Sequence, residues 1–251
     1  WSGSKITLFG AKNEVVNFNL ILEAANTTAS NVTVLFDTLN GPSGAKISSI
    51  PAAGNGVFSW TQRNIENFYI RYLQIKGLSL LSYEGAYYDE RHVPKALRRP
   101  WSGNGVAQSG SNWLSRPNHD SYYPDIAQPL ELQPTFSIAQ GKNQSIWSDI
   151  FIPKSSPAGL YTGVVTVKEG SNVSYSIPVE LVVRNFTLPD VPTSKTMLFL
   201  DGGGDIAKRY TGIQSPNTGS PEAIKAAQVE TKHFLMAHRH KISLIGGAEN
   251  N

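Results

Sequence analysis

The run YYDERHVP, residues 87 to 94, sets Asp89, Glu90 and His92 close together in the chain. Two carboxylates and an imidazole at that spacing can pass protons or hold a metal ion. The same run reads equally as a salt-bridged loop, which is the commoner use of such residues. RPNHDSYYPD, residues 116 to 125, repeats the pattern with His119, Asp120 and Asp125. There the choice is between contact with a substrate or a neighbouring domain and a loop cap of the Asx-turn kind. Trp101, Trp113, Tyr122 and Tyr123 lie in the same region, and aromatic faces of this kind either stack on sugar rings or pack the loop that carries them.

Three further sets lie near the end of the chain. Asp201 follows the apolar run TMLFL, at the C-terminal end of a predicted strand. The segment DGGGD has neither the spacing nor the lysine of a phosphate loop, and its glycines give the chain a tight exit from that strand. Of His233, His238 and His240, only the first and last share a helical face, so these read as helix-end and seam residues. Glu249 and Asn250 follow a second predicted strand. The residues carried forward as substrate contacts are Asp201, Trp113, Tyr123, His119 and Asp120; no catalytic residue, metal site or cofactor is expected.

These residues need elements to position them, and up to about residue 188 those elements read as strands. In VVNFNLILEA, Val16, Phe18, Leu20 and Leu22 alternate with polar residues, the period of a half-buried strand. NVTVLFDT does the same with Val32, Val34 and Phe36. SIWSDIFIP and LYTGVVTVKE read as a strand pair joined by KSSPAG, and a turn at EGSN leads into a third strand. That strand puts Val173, Tyr175, Ile177, Val179, Leu181 and Val183 on one face, with Pro178 marking a free edge or a bulge. The fold expected is mainly β: an antiparallel β-sandwich over 1–188, followed by a partial βαβ unit.

Between about 76 and 134 no period is sustained, and the aromatic, proline-rich segment reads as an ordered excursion that lines a ligand site or forms a domain seam. A linker over 189–194 holds Pro189 and Pro192. Beyond it, 195–251 reads as strand, helix and strand, with Ser220 as N-cap and Pro221 as first helical residue, and with Ile224, Ala227, Phe234 and Leu235 as the helix's apolar stripe. A single unit of parallel sheet cannot bury both its faces. The rest of a barrel, or another docking surface, is therefore its expected partner.

Composition excludes several function classes. A net charge of +3 over 251 residues, with no basic run longer than LRR, does not make a surface that tracks phosphates. Nucleic acid is not an expected partner. No stretch approaches the roughly 18 apolar residues of a membrane span. Cysteine is absent, which rules out disulfides and thiolate chemistry. Charged residues are only 16%, and the abundance of Ser, Thr, Asn and Gly suits a protein outside the cytosol. The sequence starts at Trp1, as it would after removal of a targeting segment or of a further part.

Several motifs together resemble one family. AKNE at 11–14, YYPDIAQP at 122–129, GKNQSIWSDIFIP at 141–153, AGLYTG at 158–163 and PVELVVRNFTLP at 178–189 are similar to the N-terminal sandwich of the glycoside hydrolase family 123-like proteins. The resemblance implies an exported bacterial protein, located in the periplasm, at the cell surface or outside the cell. It also implies a sandwich followed by a (β/α)8 barrel, with LPDVP as linker, TMLFLDGG as first barrel strand and HRHKISLIGG as the end of the first barrel helix and the second strand. Members with this fold act on N-acetylgalactosamine-containing glycans, with the substrate's acetamido group as nucleophile and an Asp and Glu pair on a later barrel strand. That pair carries over to no residue here, so these residues alone are expected to be inactive. Glycoside hydrolysis otherwise requires two carboxyl groups about 5 to 10 Å apart, and the sequence shows no such pair on rigid elements. Two functions stay open: the N-terminal portion of an exported hydrolase acting on N-acetylhexosamine-containing glycans, and a non-catalytic carbohydrate-binding or structural surface protein.

Overall fold

The computed structural model describes residues 4–75, 121–194, 196, 198–200 and 203–246. They fall into two compact units, Trp1–Tyr69 with Pro129–Asn251, and Ile70–Gln128. The first unit is built on two β-sheets. One contains β1 (Ile6–Lys12), β3 (Ala29–Leu35), β4 (Thr38–Asn40), β5 (Lys46–Ser48), β8 (Phe136–Ile138), β10 (Gly159–Glu169) and β11 (Asn172–Thr187). Its strand order is β1-β11-β10-β3-β8, with β4 beside β10 and β5 beside β4. The other sheet sets β2 (Glu14–Ala24) beside β9 (Lys142–Ile152), and β9 beside the first half of β6 (Ile65–Ile75). In the second unit the rest of β6 runs from Ile70 and is neighboured by β7 (Ser121–Pro129).

Alternation explains why these segments are strands and which face each one buries. From β9 the inward residues Ile146, Ile150 and Ile152 are fully buried, and from the other sheet so are Leu39, Ile47, Val179 and Leu181. Together with Phe36, Tyr161 and Val165 they form one core between the two sheets. Each such aliphatic side chain contributes about 1.5–3 kcal/mol by leaving water. Tyr161 is buried with its hydroxyl donating to the Pro157 carbonyl at 3.0 Å. Its ring lies so close to Gly41 that a Cβ there would come within 2.2 Å of it. Replacing Tyr161 by Phe should cost about 1 kcal/mol, the net worth of one buried hydrogen bond. Urea unfolding of the two proteins measures it, and a loss below about 0.3 kcal/mol would show that the bond contributes nothing.

The structure is mainly β, as the alternation predicts, and its strands depart from the sequence reading in four places. β1 and β11 run parallel, so one ladder of the sandwich is not antiparallel. SIWSDIFIP and LYTGVVTVKE are not a hairpin: β9 and β10 belong to different sheets, and KSSPAG crosses between them. A turn-like composition fixes that the chain reverses, and says nothing about which sheet receives it. Tyr175 is 65% exposed although its period places it with the core and its cross-strand partner Val167 is buried. Pro178 meets the free edge expected of it: it sits one residue before the β1 ladder begins at Val179, so its missing N–H is asked for nothing on that side. Within the segment expected to lack a period, 121–129 is a strand and 130–132 a short 3-10 turn.

After the linker come β12 (Leu198–Leu200), α1 (Gly203–Thr211), α2 (Pro221–Arg239) and β13 (Leu244–Gly246). β12 and β13 are parallel neighbours, Leu198 opposite Leu244. The Ser220 hydroxyl caps α2 by accepting from the Ala223 amide at 3.2 Å, and Pro221 opens the helix. The buried stripe of α2 differs from the one expected. Ala226 and Ala237 are buried, while Ile224, Ala227, Phe234, Leu235 and Met236 are exposed. Small residues face inward, and the large apolar ones face away from what is described. α1 has no counterpart in the strand–helix–strand pattern, its signal being Ile206, Ala207 and Tyr210 behind three glycines.

Candidate functional site

Only Tyr123 among the five expected substrate contacts lies within the described residues. It stands on β7 beside Tyr122, and the two are 41% and 63% exposed. Asp201, Trp113, His119 and Asp120 fall outside the described residues, as do Asp89, Glu90, His92, Trp101, Glu249 and Asn250. Among the described residues no group of three or more His, Asp and Glu is placed to hold a metal ion. A cleft of about 540 Å³ opens between β1 and β2, where Ile6, Leu8, Phe18 and Leu20 line the parted edges of the two sheets. Tyr123 does not line it.

The densest polar chemistry described lies elsewhere, on the outward face of β9 and β6. Since Ile146, Ser148 and Ile150 point inward, Trp147, Asp149 and Phe151 point outward, and Asp149 is directly opposite Glu66 on β6. In a half-exposed sheet this face would be wet, yet Asp149 is 9% and Glu66 7% exposed. The last turn of α2 covers it. Arg239 reaches Glu66 Oε2 at 3.4 Å, donates from Nη2 to the Arg63 carbonyl at 3.1 Å, and lies 5.3 Å from the Trp60 ring centre and 4.7 Å from that of Phe151. The next residue, His240, is the C-cap; its Nε2 is 3.1 Å from Asp149 Oδ2 and its Nδ1 is 2.9 Å from the Met236 carbonyl. Trp147 Nε1 donates to the other oxygen of Asp149 at 2.8 Å.

Two acids from the sheet thus meet two bases from consecutive residues of the helix. Burial raises the Glu66 carboxyl above its ordinary value against the pull of Arg239 and Arg63, and the neighbouring Asp149 adds to the rise. Burial likewise lowers the Arg239 guanidinium, which the two carboxylates oppose. The hydrogen bond to Asp149 holds the His240 imidazole above its ordinary value. Arg63 anchors the loop beneath: it pairs with Glu131 and donates to the Val57 carbonyl at 2.6 Å. Both acids are engaged and covered, so this pair is a joint between helix and sheet and not a site for hydrolysis. Its sequence signal was the HRH at 238–240, which reads as a seam; its acid half was hidden on the polar face of two strands.

A second joint ties the linker down. Asn13 turns β1 into β2 with φ of 64°, and its side-chain amide donates to the Leu188 carbonyl at 2.9 Å and to Asp190 at 3.0 Å. Lys154 pairs with the other oxygen of Asp190 at 2.6 Å. Glu14 accepts the Ala11 amide at 2.6 Å. The AKNE motif is therefore a turn that Glu14 closes and whose Asn13 grips the start of the linker.

No family model matches the chain, and no curated protein matches it. Among solved structures, a family 123 glycoside hydrolase from Clostridium perfringens, studied for the details of glycolipid glycan hydrolysis, superposes with a TM-score of 0.61 at 16% identity. The chain has part of that fold. The match covers 95% of this chain and 32% of that one, so the chain spans about a third of the enzyme's length. At such low identity the likeness is one of fold, and no residue of that enzyme is transferred by it.

Proposed function

We propose that this chain forms the sandwich and the first barrel elements of an exported glycoside hydrolase acting on N-acetylhexosamine-containing glycans, with the sandwich buttressing the barrel. The observation that carries the reading is the joint just described. A sheet whose outward face holds Glu66 and Asp149 is shaped to receive the end of one helix, and that helix leads straight into β13, parallel to β12. The likeness to a family 123 enzyme supports it. So does the apolar surface left on α2 by Ile224, Phe234, Leu235 and Met236, which further strand and helix units would cover. Asp201 directly follows β12 in the sequence, and the C-terminal ends of barrel strands are where barrel active sites gather. Tyr123, with Trp113, His119 and Asp120, is proposed to contact the glycan.

The test is incubation of the protein purified from its source with glycolipid oligosaccharides ending in N-acetylhexosamine, followed by mass spectrometry of the products. Release of the terminal sugar supports the reading. Retention of glycan on the protein without release favours a non-catalytic carbohydrate-binding protein. Tyr123→Ala should weaken glycan binding by roughly tenfold, the worth of about 1.4 kcal/mol of stacking; unchanged binding would remove Tyr123 from the site.

A further inference from the structure

We propose that His240 is a pH-sensitive latch, fastening the end of α2 to the β9–β6 face while it carries a proton shared with Asp149 and releasing that end when the proton is lost. Both ring nitrogens face acceptors. The Met236 carbonyl, 2.9 Å from Nδ1, has no proton to give, so Nδ1 must donate. Asp149 Oδ2, 3.1 Å from Nε2, belongs to a carboxylate whose other oxygen already accepts from Trp147. The Nε2 contact therefore also needs a proton between its two heavy atoms. A neutral ring facing a carboxylate can satisfy only one of the two contacts.

The surroundings favour the charged ring. It caps a helix C-terminus, where a cation is stabilised, and the acids facing it are Asp149 from β9 and Glu66 from β6. Arg239 from α2 opposes it. Arg63, which precedes β6, acts on Glu66 and Arg239. Lys241 instead feels the attraction of Asp190 and the repulsion of Lys154 at the linker joint. The sign follows from linkage. The ring's folded value lies above its ordinary 6.5, so the latch contributes fully below that pH and is lost as pH rises through the folded value. Glu66 is also raised, from 4.5, and its contribution likewise falls with rising pH, starting from a lower window. Comparison with a His240 variant separates the two.

Two measurements test the latch. Histidine ring titration by NMR on the wild-type protein, assigned with His240→Gln, should show His240 titrating above 6.5 and falling back in Asp149→Asn. Hydrogen exchange of the α2 amides from pH 6 to 9, corrected for intrinsic exchange, should show opening rise roughly tenfold for each unit by which the ring exceeds its ordinary value. The His240→Gln profile should lose that rise and keep only what Glu66 contributes. Titration of His240 at or below 6.5, or parallel exchange profiles for wild type and His240→Gln, would overturn the proposal. If His240→Gln fails to fold, Asp149→Asn and the wild-type titration decide it.

Discussion

Arg239→Ala should destabilise the protein by about 3–5 kcal/mol, the usual cost of removing one partner of a buried ion pair. The loss has three sources. Glu66 keeps its burial and loses the cation that compensated it, so it must take up a proton or admit water. The Arg63 carbonyl loses a donor at 3.1 Å. Trp60 and Phe151 lose the guanidinium lying against their rings, and such contacts add about 0.5–2 kcal/mol each. Lysine should recover little, since a point charge on a flexible stem cannot lie against two rings and donate sideways at once. The double change Glu66→Leu with Arg239→Met should recover most of the loss, because it removes charge and counter-charge together. Thermal and urea unfolding of the four proteins measures these differences. An Arg239→Ala protein within 0.5 kcal/mol of wild type would mean that the helix end does not rest on this face.

Asn13→Ala is expected to cost about 2–4 kcal/mol. Part of this is conformational: at φ of 64° an alanine pays about 1–2 kcal/mol that asparagine largely avoids. The remainder is the Leu188 carbonyl and one oxygen of Asp190, both left without their donor at the start of the linker. Asn13→Gly separates the contributions, since glycine accepts the backbone angle and supplies no amide. If Gly and wild type are equally stable by urea unfolding, the amide grip on the linker contributes nothing. If Gly and Ala are equally poor, the side chain carries the whole effect.

These two residues show where the sequence was legible. The alternation in Ile177, Val179, Leu181 and Val183 named a buried strand face because a two-residue period with large aliphatics has one physical meaning. Ser220 and Pro221 named a helix start for the same reason, since few other uses exist for that pair. Asp149 and Glu66 were not legible. Polar residues on the outward face of a strand read as solvated, and what covers them comes from about ninety residues further on for Asp149. Asn13 was visible only as part of a motif, because the angle that needs it and the carbonyl it serves appear only once β1, β2 and the linker meet. The large apolar residues of α2 misled the reading in the opposite sense: periodicity reports what a helix is built to bury, and the described end of α2 meets the sheet through Arg239 and His240 instead. Tyr123 could be placed on a strand and seen to be exposed, which leaves its partner to experiment.

The central claim is tested most directly by the rate at which the protein, purified from its source, cleaves an aryl N-acetylgalactosaminide compared with the matching aryl galactoside, which lacks the acetamido group. The account predicts that the first is cleaved and the second is not, the acetamido group being the internal nucleophile implied by the family resemblance. Cleavage of both at equal rates, or of neither, would contradict it.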